Sequence, residues 1–127
     1  MPESLPSVLI IDDEPDMCWA LEHILKSQTS KMVTVGSGQE GLDTLAEGNI
    51  DIVFIDAKLP DMEGLEVASE MRRRVPSLRI ILFSGYFYKD EPDVKQALHQ
   101  GIITDFVSKP FQNKEIMNKL FPSHARG

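Results

Sequence analysis

Residues 8–15 read VLIIDDEP, and this stretch is the clearest indication of the fold. Four consecutive aliphatic residues are typical of a strand buried on both faces, as in a parallel sheet. Two aspartates follow at once, and Pro15 stands where a helix can begin. The segment therefore predicts a buried strand, a polar turn and a helix, in that order.

The same alternation recurs along the chain. Apolar runs at residues 52–55 and 80–83 are nearly continuous and predict central strands, whereas the runs at 32–35 and 104–107 are more mixed and predict edge strands. An amphipathic helical pattern follows each run. Strand and helix alternate five times, and this order predicts an open parallel α/β sheet.

Composition limits the classes of protein that remain. The chain has 127 residues and a formal charge of −7, which favours a single domain over residues 1–127, with a core at about 7–120, and argues against a general nucleic-acid binder. Its single cysteine, Cys18, excludes an intramolecular disulfide framework. We interpret Cys18 and Trp19, both on the first predicted helix, as packing residues. No apolar run suits a membrane span and no secretion signal is visible, so we expect a cytoplasmic protein.

Polar residues stand at the ends of the predicted strands. In a doubly wound sheet the carboxyl ends of the strands form the binding site, at the point where the strand order reverses. With a strand order of 2-1-3-4-5, Asp12, Asp13 and Asp56 would share one small pocket. Ser84 and Lys109 would lie on its far side. The set consists of Asp12 and Asp13 after the first strand, Asp56 after the third, Ser84 after the fourth and Lys109 at the end of the fifth.

The charges of this set predict a metal ion. Three carboxylates in one pocket repel one another, which should raise at least one pKa unless a cation is present. Lys109 supplies a single positive charge. An all-oxygen site of this kind suits Mg²⁺ and gives no reason to expect zinc.

Four segments together resemble the receiver domain of two-component response regulators. They are VLIIDDEP at 8–15, IDAKLPDMEG at 55–64, SGY at 84–86 and FVSKPF at 106–111. The resemblance covers about residues 7–120, and the first helix is most similar to receivers of sigma-54-type activators. It implies a flavodoxin-like, doubly wound (βα)5 fold with a five-stranded parallel sheet of order 2-1-3-4-5.

The resemblance also implies a role for each site residue. Asp56 matches the phosphoacceptor, which takes a phosphoryl group from a phosphohistidine. Asp13 matches a direct Mg²⁺ ligand, Asp12 one that acts largely through water, and the backbone carbonyl of Lys58 a third protein ligand. The matching phosphoryl-binding and switch residues are Ser84, Lys109 and Phe106, and the bond before Pro110 is expected to be cis.

Partners follow from the same resemblance. A receiver is expected to act with a sensor histidine kinase or a phosphotransfer protein, and to pass its signal to an effector domain or partner by a conformational change. It is not an enzyme in the usual sense, since it catalyses only its own phosphorylation and slow dephosphorylation. A homodimer stays open, whereas direct nucleic-acid binding and membrane association are not expected.

Two other functions fit the sequence less well, and a third stays open. A haloacid-dehalogenase-type phosphatase needs a second aspartate two residues after the first, where this chain has Lys58. A flavodoxin-like flavin binder needs a phosphate-cradling loop after the first strand, where this chain has acidic residues. The alternative left open is a phosphorylation-independent docking module, because the stretch between Ser84 and Lys109 is longer than receivers usually have. The aromatic cluster at residues 86–88 within this stretch is expected either to pack in the core or to form a partly exposed partner surface.

Overall fold

A computed structural model describes residues 5–85 and 91–121. The predictions made for the aromatic cluster, residues Tyr86, Phe87 and Tyr88, lie outside these ranges. Strands and helices alternate along the described chain. The strands are β1 Ser7–Ile11, β2 Lys31–Val35, β3 Ile52–Asp56, β4 Arg79–Ser84 and β5 Asp105–Ser108, and the helices are α1 Pro15–Leu25, α2 Gly38–Ala46, α3 Gly64–Arg74, α4 Pro92–His99 and α5 Asn113–Leu120, with a short 3₁₀ turn at Lys26–Gln28 after α1.

The five strands form a parallel sheet in the order β2-β1-β3-β4-β5. This confirms the predicted flavodoxin-like topology, including the two edge strands. The strand order reverses between β1 and β3, so the ends of these strands flank the crevice in which such sheets bind ligands. Asp56 and Ser84 are the last residues of β3 and β4, where the sequence pattern had placed them just after the strands.

The core lies on both faces of the sheet. Leu9 and Ile11 of β1 pack into a cluster with residues of α2, α3 and α4. Val8 and Ile10 point to the opposite face, where they pack with residues of α1 and α5. Alternate residues of a strand face opposite sides, so a continuous apolar run is what a sheet covered by helices on both faces requires.

The helix boundaries follow local signals in the sequence. Pro15 is in the first turn of α1, and the Ser37 hydroxyl accepts a hydrogen bond from the Glu40 N–H at the start of α2. Two glycines with positive φ follow helices: Gly48 (88°) after α2 and Gly101 (74°) after α4. The Lys109–Pro110 peptide bond is cis, as the resemblance implied.

No helix of the described ranges is long and apolar enough to span a membrane. Trp19 is 64% exposed and its ring stacks on His23, with the ring centroids 4.9 Å apart. The interpretation of Trp19 as a packing residue was therefore wrong, because this side of α1 faces solvent.

Candidate functional site

Three aspartates meet at the carboxyl ends of β1 and β3. Asp12, Asp13 and Asp56 each offer a carboxylate oxygen, and these oxygens lie within 4.8 Å of one another. Asp12 and Asp56 are buried, whereas Asp13 is exposed. The parallel register of β1 and β3 brings Ile11 beside Ile55, so the residues that follow them emerge together. This confirms that the predicted carboxylates share one pocket.

A close backbone approach holds the loop after β3 against the strand end. The Gly64 N–H donates a 2.7 Å hydrogen bond to the Ala57 carbonyl oxygen. A Cβ atom at residue 64 would lie 2.2 Å from the Asp56 carbonyl oxygen, so only glycine fits here. The turn of chain between these residues forms one wall of the pocket.

Lys109 brings a positive charge to the carboxylates from the end of β5. Its Nζ lies 3.4 Å from Asp56 Oδ1 and 3.8 Å from Asp12 Oδ2. It also donates a 3.3 Å hydrogen bond to Glu14 Oε1 and lies 5.1 Å from the centroid of the Phe83 ring. The lysine is mostly buried, with its side chain 17% exposed. Its ammonium group therefore lies beside the Asp56 carboxylate.

Burial and charge shift the acidity of Asp12. Burial raises its pKa to about 6, and the hydrogen bond that Asp12 Oδ1 accepts from the Glu14 N–H opposes this rise. The charge of Asp56 adds to it. Mutual repulsion was the expected cause, but loss of solvation is the larger one, because Asp12 is only 1% exposed.

The pKa values of Asp56 and Lys109 are also raised. Burial raises the pKa of Asp56, the Lys109 ammonium opposes this, and the nearby Glu14 carboxylate adds to it. Partial burial lowers the pKa of Lys109, but the carboxylates of Asp56, Asp12 and Glu14 outweigh burial and leave it above its usual range. Lys109 is therefore charged at neutral pH, and the pocket keeps a negative balance.

The residues present fit a hard divalent cation. Asp12 Oδ2 is buried and has no hydrogen-bond partner among the described residues. The donors are carboxylate oxygens, which magnesium prefers over nitrogen or sulfur ligands. A cation bound between the three carboxylates would satisfy this oxygen and offset their repulsion. The acidic pocket is thus able to bind Mg²⁺.

An open cavity of about 330 Å³ leads from solvent to Asp56. Lys58 is at its rim, with Nζ 3.4 Å from Glu63 Oε2, and both side chains are half exposed. This ion pair directs the Lys58 ammonium toward the start of α3. The cavity is lined by Asp13, Glu14, Asp56, Lys58, Leu59, Pro60 and Lys109.

The two predicted switch residues are buried in β4 and β5. Ser84 ends β4 with 0% exposure, and its backbone carbonyl accepts a hydrogen bond from the Lys109 N–H. Phe106, in β5, is 7% exposed and packs in the core cluster on the α4 side of the sheet. Ser84 therefore lies on the strand next to that of Asp56, and Phe106 lies on the strand beyond it.

Two residues of the site were not predicted from the sequence. The sequence predicts no role for Glu14 within its motif and predicts Phe83 only as a strand residue. Glu14 directly follows the paired aspartates, which is the signal that could have identified it. Phe83 carries no such signal, because its contact with Lys109 depends on how β4 and β5 pair.

Comparisons with known proteins agree with this arrangement. A family model described as the response regulator receiver domain matches residues 8–121. The chain is 36% identical over 123 residues to the transcriptional regulatory protein AfsQ1 of Streptomyces coelicolor, a match that covers 97% of this chain and 53% of that protein. It is 35% identical over 113 residues to the transcriptional regulatory protein KdpE of Mycobacterium tuberculosis, covering 89% and 48%. The chain thus spans about half the length of these curated relatives.

Solved structures give the same result. The N-terminal signal receiver domain of a two-component system response regulator from Bacteroides fragilis is 29% identical, with a TM-score of 0.82, and the match covers 94% of this chain and 97% of that one. TrrA from Thermotoga maritima, solved in complex with Mg(2+)-BeF, is 28% identical, with a TM-score of 0.78 and coverage of 92% and 97%.

Proposed function

The chain belongs to the response regulator receiver domain family, and we propose that it is a phosphorylation-dependent switch in which Asp56 accepts a phosphoryl group from a histidine kinase or a phosphotransfer protein. The observation that carries this proposal is the position of Lys109 Nζ, 3.4 Å from Asp56 Oδ1, within a pocket of three carboxylates. The Asp56 carboxylate is buried beside the Lys109 ammonium group, and a cavity connects it to solvent. Such a carboxylate can act as a nucleophile toward phosphorus.

In the transfer, an oxygen of the Asp56 carboxylate attacks the phosphorus atom of a phosphohistidine. The new O–P bond forms as the P–N bond breaks, and the imidazole nitrogen of the donor keeps the electron pair. Lys109 pairs with a phosphoryl oxygen as negative charge moves onto the phosphoryl group, which is the main stabilisation such transfers need. The product is an aspartyl phosphate on Asp56.

The residues that would hold Mg²⁺ are Asp12, Asp13, Asp56 and the backbone carbonyl of Lys58. Asp13 is proposed as a direct ligand and Asp12 as one that acts largely through water. When bound, the ion supplies positive charge to the phosphoryl oxygens. The complex of the Thermotoga relative with Mg(2+)-BeF supports a metal-dependent reaction at this site.

The signal would leave the site through Ser84 and Phe106. A phosphoryl group on Asp56 offers the Ser84 hydroxyl a charged acceptor. β4 and α4 then shift so that this hydroxyl reaches the phosphoryl group. Phe106 packs beside this region and lacks the hydroxyl of tyrosine, so its part in the change is steric. We propose one receiver domain over residues 1–127, without enzymatic activity beyond its own phosphorylation and dephosphorylation, that signals to an effector domain or partner.

The test is phosphorylation by acetyl phosphate in Mg²⁺, followed by intact mass and by mapping of the modified peptide. We expect one phosphoryl group on the parent protein, none on Asp56→Asn, and normal modification of Asp43→Asn, a matched control at an exposed carboxylate. Stoichiometric modification of Asp56→Asn would show that another residue is the acceptor. A parent that takes no phosphoryl group would favour the phosphorylation-independent docking module.

A further inference from the structure

The Lys109 ammonium group is shared between the buried carboxylates and an exposed one. Its Nζ lies 3.3 Å from Glu14 Oε1, against 3.4 Å from Asp56 Oδ1 and 3.8 Å from Asp12 Oδ2. Asp12 and Asp56 are buried, whereas the Glu14 side chain is 63% exposed at the rim of the cavity. An exposed carboxylate therefore competes with the phosphoacceptor for Lys109.

We propose that Glu14 is a positioning residue that restrains phosphorylation by holding Lys109 in an ion pair. This ion pair has to open before Lys109 can pair fully with a phosphoryl oxygen on Asp56. The inference rests on the proposed function, and it adds a regulator of that reaction that acts through Lys109 and does not itself react.

Two physical effects of Glu14 act in the same direction. With acetyl phosphate as donor, the Asp56 oxygen forms a bond to phosphorus while the P–O bond to acetate breaks, and acetate leaves with the electron pair. The phosphoryl oxygens then lie beyond Asp56, toward the rim where the Glu14 carboxylate is. Glu14 therefore competes with them for Lys109 and also repels them.

The expected effect is modest, because Glu14 is exposed to solvent. Ion pairs at exposed positions contribute up to about 1 kcal/mol, which corresponds to a rate change of about five-fold. A larger effect would require burial of both partners, and only Lys109 is mostly buried.

Replacing the Glu14 side chain leaves the hydrogen bonds of the Glu14 backbone in place. Glu14 precedes α1, but its side chain makes no capping hydrogen bond. Its carbonyl oxygen accepts from the N–H groups of Met17 and Cys18, and its own N–H donates to Asp12 Oδ1. All three of these bonds use backbone atoms of Glu14, so they remain in a side-chain variant.

The experiment compares phosphorylation rates with acetyl phosphate in Mg²⁺ for the parent, Glu14→Gln, Glu14→Asp and Asp16→Asn. Glutamine removes the charge at the same length. Aspartate keeps the charge but is one methylene shorter, so it no longer reaches Lys109. Asp16 is an exposed carboxylate in the first turn of α1 and serves as the matched control for charge near the site. Urea unfolding checks that all four proteins are equally stable.

We expect Glu14→Gln to be phosphorylated about five-fold faster than the parent, Glu14→Asp to be faster by a smaller factor, and Asp16→Asn to match the parent. The acceleration should persist with phosphoramidate, which carries less negative charge than acetyl phosphate. Equal rates for Glu14→Asp and the parent would overturn the inference, because they would mean that charge alone acts. Slower or unchanged phosphorylation of Glu14→Gln would also overturn it. A parent that takes no phosphoryl group overturns the proposed function and this inference together.

Discussion

Replacing Asp12 by asparagine should stabilise the metal-free protein. Asp12 is 1% exposed, its Oδ2 has no hydrogen-bond partner among the described residues, and burial raises its pKa from 3.8 to about 6. Asparagine has nearly the same shape, and its carbonyl oxygen can still accept from the Glu14 N–H. The substitution therefore removes a poorly solvated charge and keeps the local backbone contact.

The size of the effect follows from the raised pKa. A pKa that is higher in the folded than in the unfolded protein means that the ionised carboxylate destabilises the fold, and each tenfold change in the acid dissociation constant corresponds to about 1.4 kcal/mol. For Asp12 this gives a gain of up to about 3 kcal/mol at neutral pH for the variant. For a chain of this length that gain raises the melting temperature by about 10 °C.

The pH dependence gives the sign of the effect. The penalty from Asp12 is complete above its folded-state pKa of about 6 and is absent below its unfolded value near 3.8. The stability difference between Asp12→Asn and the parent should therefore be largest at neutral pH and should shrink as the pH falls through this window. Protonation of Asp12 stabilises the parent at low pH, whereas the variant has no carboxylate at this position to protonate.

The assay is urea unfolding in EDTA at a series of pH values, repeated with Mg²⁺. Asp43→Asn, at an exposed carboxylate of α2, is the control, and Asp13→Asn should give a smaller gain because Asp13 is also exposed. Added Mg²⁺ should stabilise the parent and the control more than Asp12→Asn. The reasoning fails if Asp12→Asn is no more stable than the parent in EDTA, or if its advantage is the same at every pH.

Two further predictions concern the chain after β3. Gly64→Ala should lower the free energy of unfolding, measured by urea titration, by about 2 kcal/mol or more, because its Cβ would lie 2.2 Å from the Asp56 carbonyl oxygen. The control Gly36→Ala should be close to neutral, because a Cβ there has its nearest contact at 3.9 Å. Lys58→Ala should shorten the lifetime of the aspartyl phosphate a few-fold, because it removes a side chain from the rim of the cavity and admits water. Loss of the phosphoryl group is followed by intact mass after removal of acetyl phosphate, with Lys31→Ala as the control. An unchanged lifetime would exclude shielding by Lys58.

Much of the fold was predictable because its signals are local. The apolar run at residues 8–11 needs both faces of the sheet covered, and the structure divides it between two core clusters. Pro15 and Gly48 mark helix ends through their own backbone preferences. Such signals depend on a few neighbouring residues, so they can be identified without knowing the rest of the chain.

The site was predictable in outline for a related reason. Parallel strands end at one edge of their sheet, so polar residues such as Asp12 and Asp56 at strand ends have to gather there. The roles given to Asp56, Ser84 and Phe106 came from the resemblance to receivers and stay predictions. The same holds for the Mg²⁺ ligands, although the carboxylates are close enough to share an ion.

What only the tertiary structure decided is how the charges of the site are paired and solvated. Lys109 and Glu14 are 95 residues apart in the chain, and their contact exists only because β5 and the β1–α1 turn reach the same edge of the sheet. The main cause of the raised pKa of Asp12 is burial, which depends on every element packed around it. The sequence determined which ionisable groups reach this edge, whereas electrostatic energies depend on distance and solvent exposure, and the packing of the whole domain sets both.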